Sequence, residues 1–283
     1  MDNLSTVGII GLGTMGRSIA KLCLGKGMRV VVSARTPESG RKNLETLLGE
    51  LAGRLKKGKM TQEQYDTMAG NIRLADGLKD YAGLPVIIEA IYEDADKKGA
   101  LYRKLEPVVS EDAIIATNTS SISVNELSRF LEHKARFLGL HFFNPAEVMR
   151  LVEVKRTEHT SDAVVASARE FAERLGKTPI LTPDLPGMFV NRMLFPMLLE
   201  AISVLETTGC DRKDIDDAMK LGANLPMGPL ELCDFIGNDI VLNISNVLLE
   251  HTGDQRFKPP RLLEQMVKEG KLGRKSGQGF YEY

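Results

Sequence analysis

Cysteine is scarce in this chain: three residues, Cys23, Cys210 and Cys233, scattered and odd in number. They support neither a disulfide framework nor metal-ligand spacing, so a reducing compartment and no metal are expected. Net charge is almost nil, at −1. That leaves no bulk electrostatic reason to bind nucleic acid or a membrane surface. No apolar run approaches the length of a bilayer span. A strand-like run begins as early as Val7, so no secretory leader is expected at the N-terminus. Internal repeats and low-complexity segments are missing as well. What remains is ordinary globular composition, 43% hydrophobic and 27% charged over 283 residues. Such a chain builds one large or two ordinary domains, and the expected setting is the cytoplasm, with a small-molecule partner.

The most informative segment is Val7-Gly-Ile-Ile-Gly-Leu-Gly-Thr-Met-Gly16. An apolar strand signal runs straight into Gly11-x-Gly13-x-x-Gly16, and an amphipathic stretch follows with Ile19, Ala20, Leu22 and Cys23. Glycines at this spacing permit a tight turn, close approach of backbone to a pyrophosphate, and close helix–strand packing. A helix opening at Thr14 would aim free N–H groups at phosphates. Leu12, Thr14 and Met15 complete the loop that a dinucleotide would touch.

Further strand signals lie at Val30–Ser33, Ile72–Ala75, Val86–Glu89, Ile114–Thr117, Phe137–His141, Leu151–Lys155 and Pro179–Leu181. Helical patterns fill 14–26, 37–57, 61–69 and 95–109. Ser161 caps another whose Val164, Val165, Ala168, Phe171, Ala172 and Leu175 share a face, with Gly176 at its end. This alternation predicts an α/β fold: a Rossmann-type, doubly wound, mostly parallel sheet. Residues 42–69 exceed an ordinary crossover and read as a projecting helical pair with a turn at Lys57-Gly58-Lys59. The pattern breaks at Thr182–Gly187. Beyond it, apolar stretches at 188–208, 213–221, 229–249 and 260–268 predict a second, all-α domain. The expected division is 1–184 and 185–283. The long apolar first helix of the second part favours a homodimer formed through the C-terminal domain.

Three places carry chemistry-bearing residues. An acidic residue about 20 positions after the glycine motif would hold a ribose 2′-hydroxyl. Ala34 stands there, followed by Arg35. Loss of the acid removes repulsion of a 2′-phosphate, and Ser33, Arg35 and Thr36 offer hydrogen bonds and charge to one, which favours NADP(H) over NAD(H). His141 ends a strand in Leu-His-Phe-Phe-Asn-Pro, at the sheet edge where ligands bind, and Glu153 on the next strand is placed to hold one imidazole nitrogen. Ser120, in Asn118-Thr-Ser-Ser121, follows another strand end. Periodicity alone leaves these residues divided between catalysis and ordinary roles: a core histidine, a helix cap, a turn asparagine.

Together the blocks resemble the short-chain L-3-hydroxyacyl-CoA dehydrogenase family and, within it, the bacterial-type 3-hydroxybutyryl-CoA dehydrogenases. The resemblance spans essentially the whole chain. It rests on Gly11–Gly16, Val86-Ile-Ile-Glu-Ala90, Asn118–Ser121, His141-Phe-Phe-Asn-Pro145, Leu151-Val-Glu-Val154, Pro186-Gly-Met-Phe-Val-Asn-Arg192, Pro226-Met-Gly-Pro-Leu-Glu-Leu232 and Leu272–Tyr281. It implies a His141–Glu153 acid/base pair, with Ser120 and Asn191 hydrogen-bonding the reacting oxygen or the thioester, and closure between the domains completing the site. It implies cofactor contacts at Glu93, Lys98, Asn144 and Lys275, and CoA contacts at Lys57 and Arg54. Two departures stand out: the family commonly has aspartate where Ala34 lies, and Gly53 replaces a lysine. A sugar-acid dehydrogenase acting on gulonate, or a non-catalytic crystallin-like nucleotide-binding protein, remains open as an alternative.

Overall fold

The computed structural model describes residues 4–283. The chain divides after Leu185 into two compact units, the second being Pro186–Tyr283.

The first unit is built on one eight-stranded sheet. Its strands are β1 (Thr6–Ile10), β2 (Arg29–Ser33), β3 (Ile72–Leu74), β4 (Val86–Glu89), β5 (Ile114–Thr117), β6 (Phe137–Phe142), β7 (Leu151–Arg156) and β8 (Thr178–Thr182). Their order across the sheet is β3-β2-β1-β4-β5-β6-β7-β8. All pairings are parallel except β6 with β7. The central strands read as unbroken Val/Ile runs because both of their faces are covered. Val86 and Ile88 pack on one side with Ile19 and Cys23 of α1 (Thr14–Gly25), and with Ala168 and Phe171 of α6 (Asp162–Arg174). Ile87, between them, packs on the other side with Tyr102 and Leu105 of α4 (Ala95–Leu105) and with Leu127 of α5 (Val124–Ser128). This is the period-two alternation of a strand, with both sides apolar.

The segment after β2 forms α2 (Pro37–Lys56) and α3 (Gln62–Gly70). Each starts with a threonine cap, Thr36 and Thr61, accepting from the third helical residue. Leu47, Leu51 and Met68 anchor the pair in the core, while Gly58, at φ +65°, turns the chain in the exposed loop between them.

The second unit is helical: α7 (Val190–Thr208), α8 (Arg212–Gly222), α9 (Pro229–Ile236), α10 (Asn238–Thr252) and α11 (Arg261–Lys268). Phe195, Leu198 and Ile202 of α7 form its core with Leu230, Val241, Leu248, Leu263 and Phe280. Asp234 fastens the C-terminal segment, accepting from the Phe280 and Tyr281 amides at 2.9 and 2.8 Å. Gly273 and Gly279 are required there, since a Cβ on either would fall within 2.3 Å of Asp234 atoms.

The apolar stretch 229–249 forms two helices: it breaks at Gly237, whose φ of +105° no helix admits, and α10 leaves α9 at 96°. The helix expected over 95–109 stops at Leu105: Glu106 keeps helical backbone and donates to Tyr102 O, but Pro107 has no N–H to continue the ladder. No single helix among the described residues is long and apolar enough to cross a membrane.

Candidate active site

The parallel strands β1, β4, β5 and β6 bring their carboxyl ends to one edge of the sheet. Strand order reverses between β1 and β4, which makes that edge a ligand crevice. Four loops meet there, following Ile10, Glu89, Thr117 and Phe142.

The glycine loop can be tested position by position. Gly11 has φ +106°, and a Cβ on it would lie 2.4 Å from the Ala90 carbonyl oxygen. A Cβ on Gly16 would lie 1.7 Å from the Gly11 carbonyl oxygen, so this glycine seats α1 against the strand. Gly13 is different: a Cβ there meets nothing within 4 Å. Chain packing demands the first and third glycines but not the middle one, whose bare backbone faces open space. Gly13 is also the N-cap of α1 and gives no side-chain hydrogen bond, so the first amides of the helix are left without a side-chain acceptor. This is a surface shaped for a pyrophosphate, and the residues fit a dinucleotide.

At the end of β2, Ser33 accepts a hydrogen bond from the buried Tyr81 hydroxyl at 2.7 Å. Ala34 is half-buried and Arg35 exposed. Arg35 makes no ion pair to the described residues. Thr36 is used as the cap of α2, accepting from Ser39 N at 3.2 Å.

His141 and Glu153 stand directly opposite each other on the antiparallel pair β6–β7. Cross-strand partners have adjacent Cβ atoms on one face, so the ladder itself sets the pair. The imidazole Nδ1 lies 2.8 Å from Glu153 Oε2. Both side chains are buried, Glu153 almost completely. With Nδ1–H donated to the carboxylate, Nε2 presents its lone pair on the other side of the ring. Phe143 packs on the ring at a centroid separation of 4.5 Å. The strand end is held from β5: Asn118 Oδ1 accepts from Phe142 N at 2.8 Å. The loop after it is held from α1: Ser18 Oγ accepts from Ala146 N at 2.7 Å and donates to Glu147, which pairs with Lys21.

Ser120 is half-buried, and its hydroxyl makes no hydrogen bond to the described residues. Its backbone N–H donates to Glu93 at 3.2 Å. Lys98 is fully buried, with its ammonium 2.6 Å from Glu89 and 3.3 Å from Glu93. Glu89 is equally buried and also accepts from Tyr102 and Thr117. Glu93 keeps 34% of its side chain exposed; partial desolvation alone would raise its carboxyl, but Lys98 and the Thr119 and Ser121 donors outweigh it and hold the group below its ordinary range. Asn144 is exposed on the loop after His141.

Other expected residues belong to other segments than these four loops. Arg54 and Lys57 lie at the exposed C-terminal end of α2, beside Lys56 and Lys59. Cations there also complement the helix dipole. Asn191, half-buried in the first turn of α7, and Lys275, paired with Asp239, belong to the second unit. Sequence reasoning missed Ser18, Thr119, Glu89 and Tyr102 as parts of the site's support. A serine inside a helix and a tyrosine in an amphipathic pattern carry no signal of long-range contact. All three cysteines are free, and burial pushes the Cys23 thiol up to about 12. Among the described residues there is no cluster able to hold a metal.

A dinucleotide cradle and a carboxylate-steadied histidine on one sheet edge define an oxidoreductase that uses a nicotinamide cofactor. Comparison with known proteins specifies which. Residues 6–185 match the 3-hydroxyacyl-CoA dehydrogenase NAD-binding domain, and residues 187–283 match the C-terminal domain of the same family. The 3-hydroxybutyryl-CoA dehydrogenase of Bradyrhizobium diazoefficiens is 39% identical over 99% of this chain and 96% of its own. That of Clostridioides difficile is 38% identical over 97% of this chain and 98% of its own. The crystal structure of (S)-3-hydroxybutyryl-CoA dehydrogenase from Ralstonia eutropha superposes with a TM-score of 0.89 at 39% identity, covering 99% of both chains. The chain belongs to the 3-hydroxyacyl-CoA dehydrogenase family.

Proposed function

We propose that this protein interconverts (S)-3-hydroxybutyryl-CoA, or close short-chain homologues, and the corresponding 3-oxoacyl-CoA. The observation that carries the reading is the buried 2.8 Å contact between His141 Nδ1 and Glu153. When bound, the nicotinamide accepts the hydride from substrate C3 or supplies it to that carbon. In the oxidative direction the Nε2 lone pair of His141 takes the proton of the 3-hydroxyl as the C3–H bond breaks. In the reductive direction the protonated ring returns that proton to the developing alkoxide. Glu153 holds the tautomer, and its negative charge lies against the ring that becomes positive. Ser120, with a hydroxyl free to donate, is assigned to the reacting oxygen.

Four finer assignments accompany this one. Ala34 and the unpaired Arg35 favour NADP(H) over NAD(H), since no carboxylate opposes a 2′-phosphate and a guanidinium is available to it. Lys57 and Arg54 are assigned to CoA phosphates, without which their exposed cationic end of α2 is only a solvated helix terminus. The apolar side chains exposed on the second unit, among them Met193 at 68% and Leu221 at 85%, support a homodimer through that unit. A cytoplasmic enzyme acting without nucleic acid or membrane partners fits the near-neutral charge.

Parallel steady-state reduction of acetoacetyl-CoA with NADPH and with NADH tests substrate and cofactor together. Turnover with a lower KM for NADPH is expected. Turnover of gulonate with none of acetoacetyl-CoA would replace the substrate assignment, and binding of cofactor without any turnover would point to a non-catalytic protein.

A further inference from the structure

Glu93 is the hub of a polar network that the acid/base chemistry does not use. One of its oxygens, Oε1, gathers the whole turn after β5. It accepts from the Thr119 hydroxyl, from Ser120 N at 3.2 Å, from Ser121 N at 3.1 Å and from the Ser121 hydroxyl at 2.9 Å. The other, Oε2, lies 3.3 Å from Lys98 Nζ. Lys98 is anchored in turn by Glu89, 2.6 Å away, and Glu89 receives Tyr102 at 2.6 Å, Thr117 at 2.8 Å and the Ile91 amide at 2.8 Å. A continuous line of charge-assisted contacts therefore runs from the sheet interior to the backbone of Ser120. Such bonds are roughly twice as strong as neutral ones, and the Lys98–Glu89 end of the line, which is fully buried, holds the half-exposed Glu93 in place.

The arrangement has a direction. Glu93 meets Ser120 through the amide and leaves the hydroxyl alone. Thr119 and Ser121, on either side, spend their hydroxyls on the same carboxylate. Of three consecutive hydroxyls, the middle one is kept free while its backbone is clamped on both flanks. A group that must meet an oxygen within hydrogen-bonding tolerance benefits from such support, because a displacement of about 1 Å costs on the order of a hundredfold in rate.

We propose that Glu93, braced by Lys98 and Glu89, is a positioning residue that presents the Ser120 hydroxyl to the reacting oxygen. The proposal rests on the assignment of Ser120 made above. It adds to the cofactor contact that family resemblance implies for Glu93 and Lys98, because Glu93 keeps about a third of its side chain, 34%, exposed beside this network.

A double-mutant cycle with Ser120→Ala separates the possibilities. With cofactor saturating, as checked by cofactor fluorescence, Glu93→Ala is expected to lower kcat about ten- to a hundredfold. Glu93→Gln keeps an acceptor oxygen and is expected to lose less. Glu93→Ala/Ser120→Ala is expected to turn over no more slowly than Ser120→Ala alone, within about threefold. Amide hydrogen exchange across residues 119–121 should accelerate in Glu93→Ala. Losses that multiply in the double variant, unchanged exchange in that turn, or a tenfold weaker cofactor Kd at unchanged kcat would each overturn the positioning role. Ser120→Ala with full activity would instead remove Ser120 from the reaction, a failure of the earlier assignment that is visible without any Glu93 variant. Should Glu93→Ala not fold, Thr119→Val withdraws one donor from the same oxygen, and the same exchange and cycle measurements decide.

Discussion

Replacing Gly13 and Gly16 by alanine, one at a time, separates a glycine required by a ligand from one required by the fold. Gly13 has φ −72° and ψ −162°, backbone that any L-residue adopts, and its added Cβ would meet nothing within 4 Å. Reduced freedom of the unfolded chain would stabilise Gly13→Ala by about 0.4–1 kcal/mol. Alanine is a poorer N-cap than glycine, which offsets a similar amount. The cofactor-free variant should therefore melt within about 4 °C of the parent. The methyl would occupy the space through which a pyrophosphate reaches the backbone. Losing one charge-assisted hydrogen bond there costs about 1.5–3 kcal/mol, or roughly 10- to 150-fold in Kd. Gly16→Ala reverses the pattern. Its Cβ would sit 1.7 Å from the Gly11 carbonyl oxygen and 2.8 Å from the carbonyl carbon, and backbone on both sides must move. Overpacking of this kind costs about 1–3 kcal/mol and lowers the melting temperature of cofactor-free protein by several degrees. The chain has no tryptophan, so binding is best read from the emission of the reduced cofactor itself. Undiminished affinity in Gly13→Ala, or a loss of cofactor-free stability equal to that of Gly16→Ala, would refute the argument.

Four further outcomes are expected. His141→Gln should lower kcat by about 10²–10⁴-fold while cofactor affinity stays near the parent's, and a tenfold or smaller loss would exclude this ring as the main acid/base. Ala34→Asp should move the NADPH/NADH preference towards NADH by setting a carboxylate against a 2′-phosphate; an unaltered ratio of kcat/KM values contradicts the cofactor assignment. Lys57→Ala should raise KM for CoA thioesters more than for truncated thioesters, and equal effects would return this lysine to the role of a solvated helix end. Asp184 gives a pH signature. Burial raises its carboxyl, but the Ser123 hydroxyl, the Lys155 ammonium and the Asn125 amide outweigh that and hold it below the ordinary 3.8. A depressed folded value means the stabilisation is complete above about pH 4 and is lost as pH falls through the folded value. Urea midpoints measured down to pH 3 should fall less steeply in Asp184→Asn than in the parent, and parallel slopes would show that Asp184 contributes nothing there.

The strands and most helices were legible because each depends on local rules. Val86–Ile88 are apolar in succession, as strands covered on both faces must be, and Thr36 and Thr61 stand where caps are needed. The helix expected over 95–109 overran Pro107, whose missing N–H ends the ladder. In the site, His141 could be proposed from its strand end and Glu153 from the strand that follows, and their opposition was not visible until the antiparallel register was known. Glu93 and Lys98 were read as residues facing a ligand. Their engagement with Thr119, Ser121 and Glu89 depends on how two loops lie beside each other after β4 and β5.

By itself the order of residues determined the α/β alternation, the glycine loop and the kinds of side chain available at each strand end. These follow from backbone sterics and from periodicity, which act over a few neighbouring positions. Only the tertiary structure decided that, of the three glycines in the loop, Gly13 is the one facing open space, that Ser18 reaches the loop beyond His141, and that one carboxylate gathers three successive residues around Ser120. Those relations join positions tens of residues apart, and distance in space is set by how the sheet stacks its crossovers, which no local pattern records.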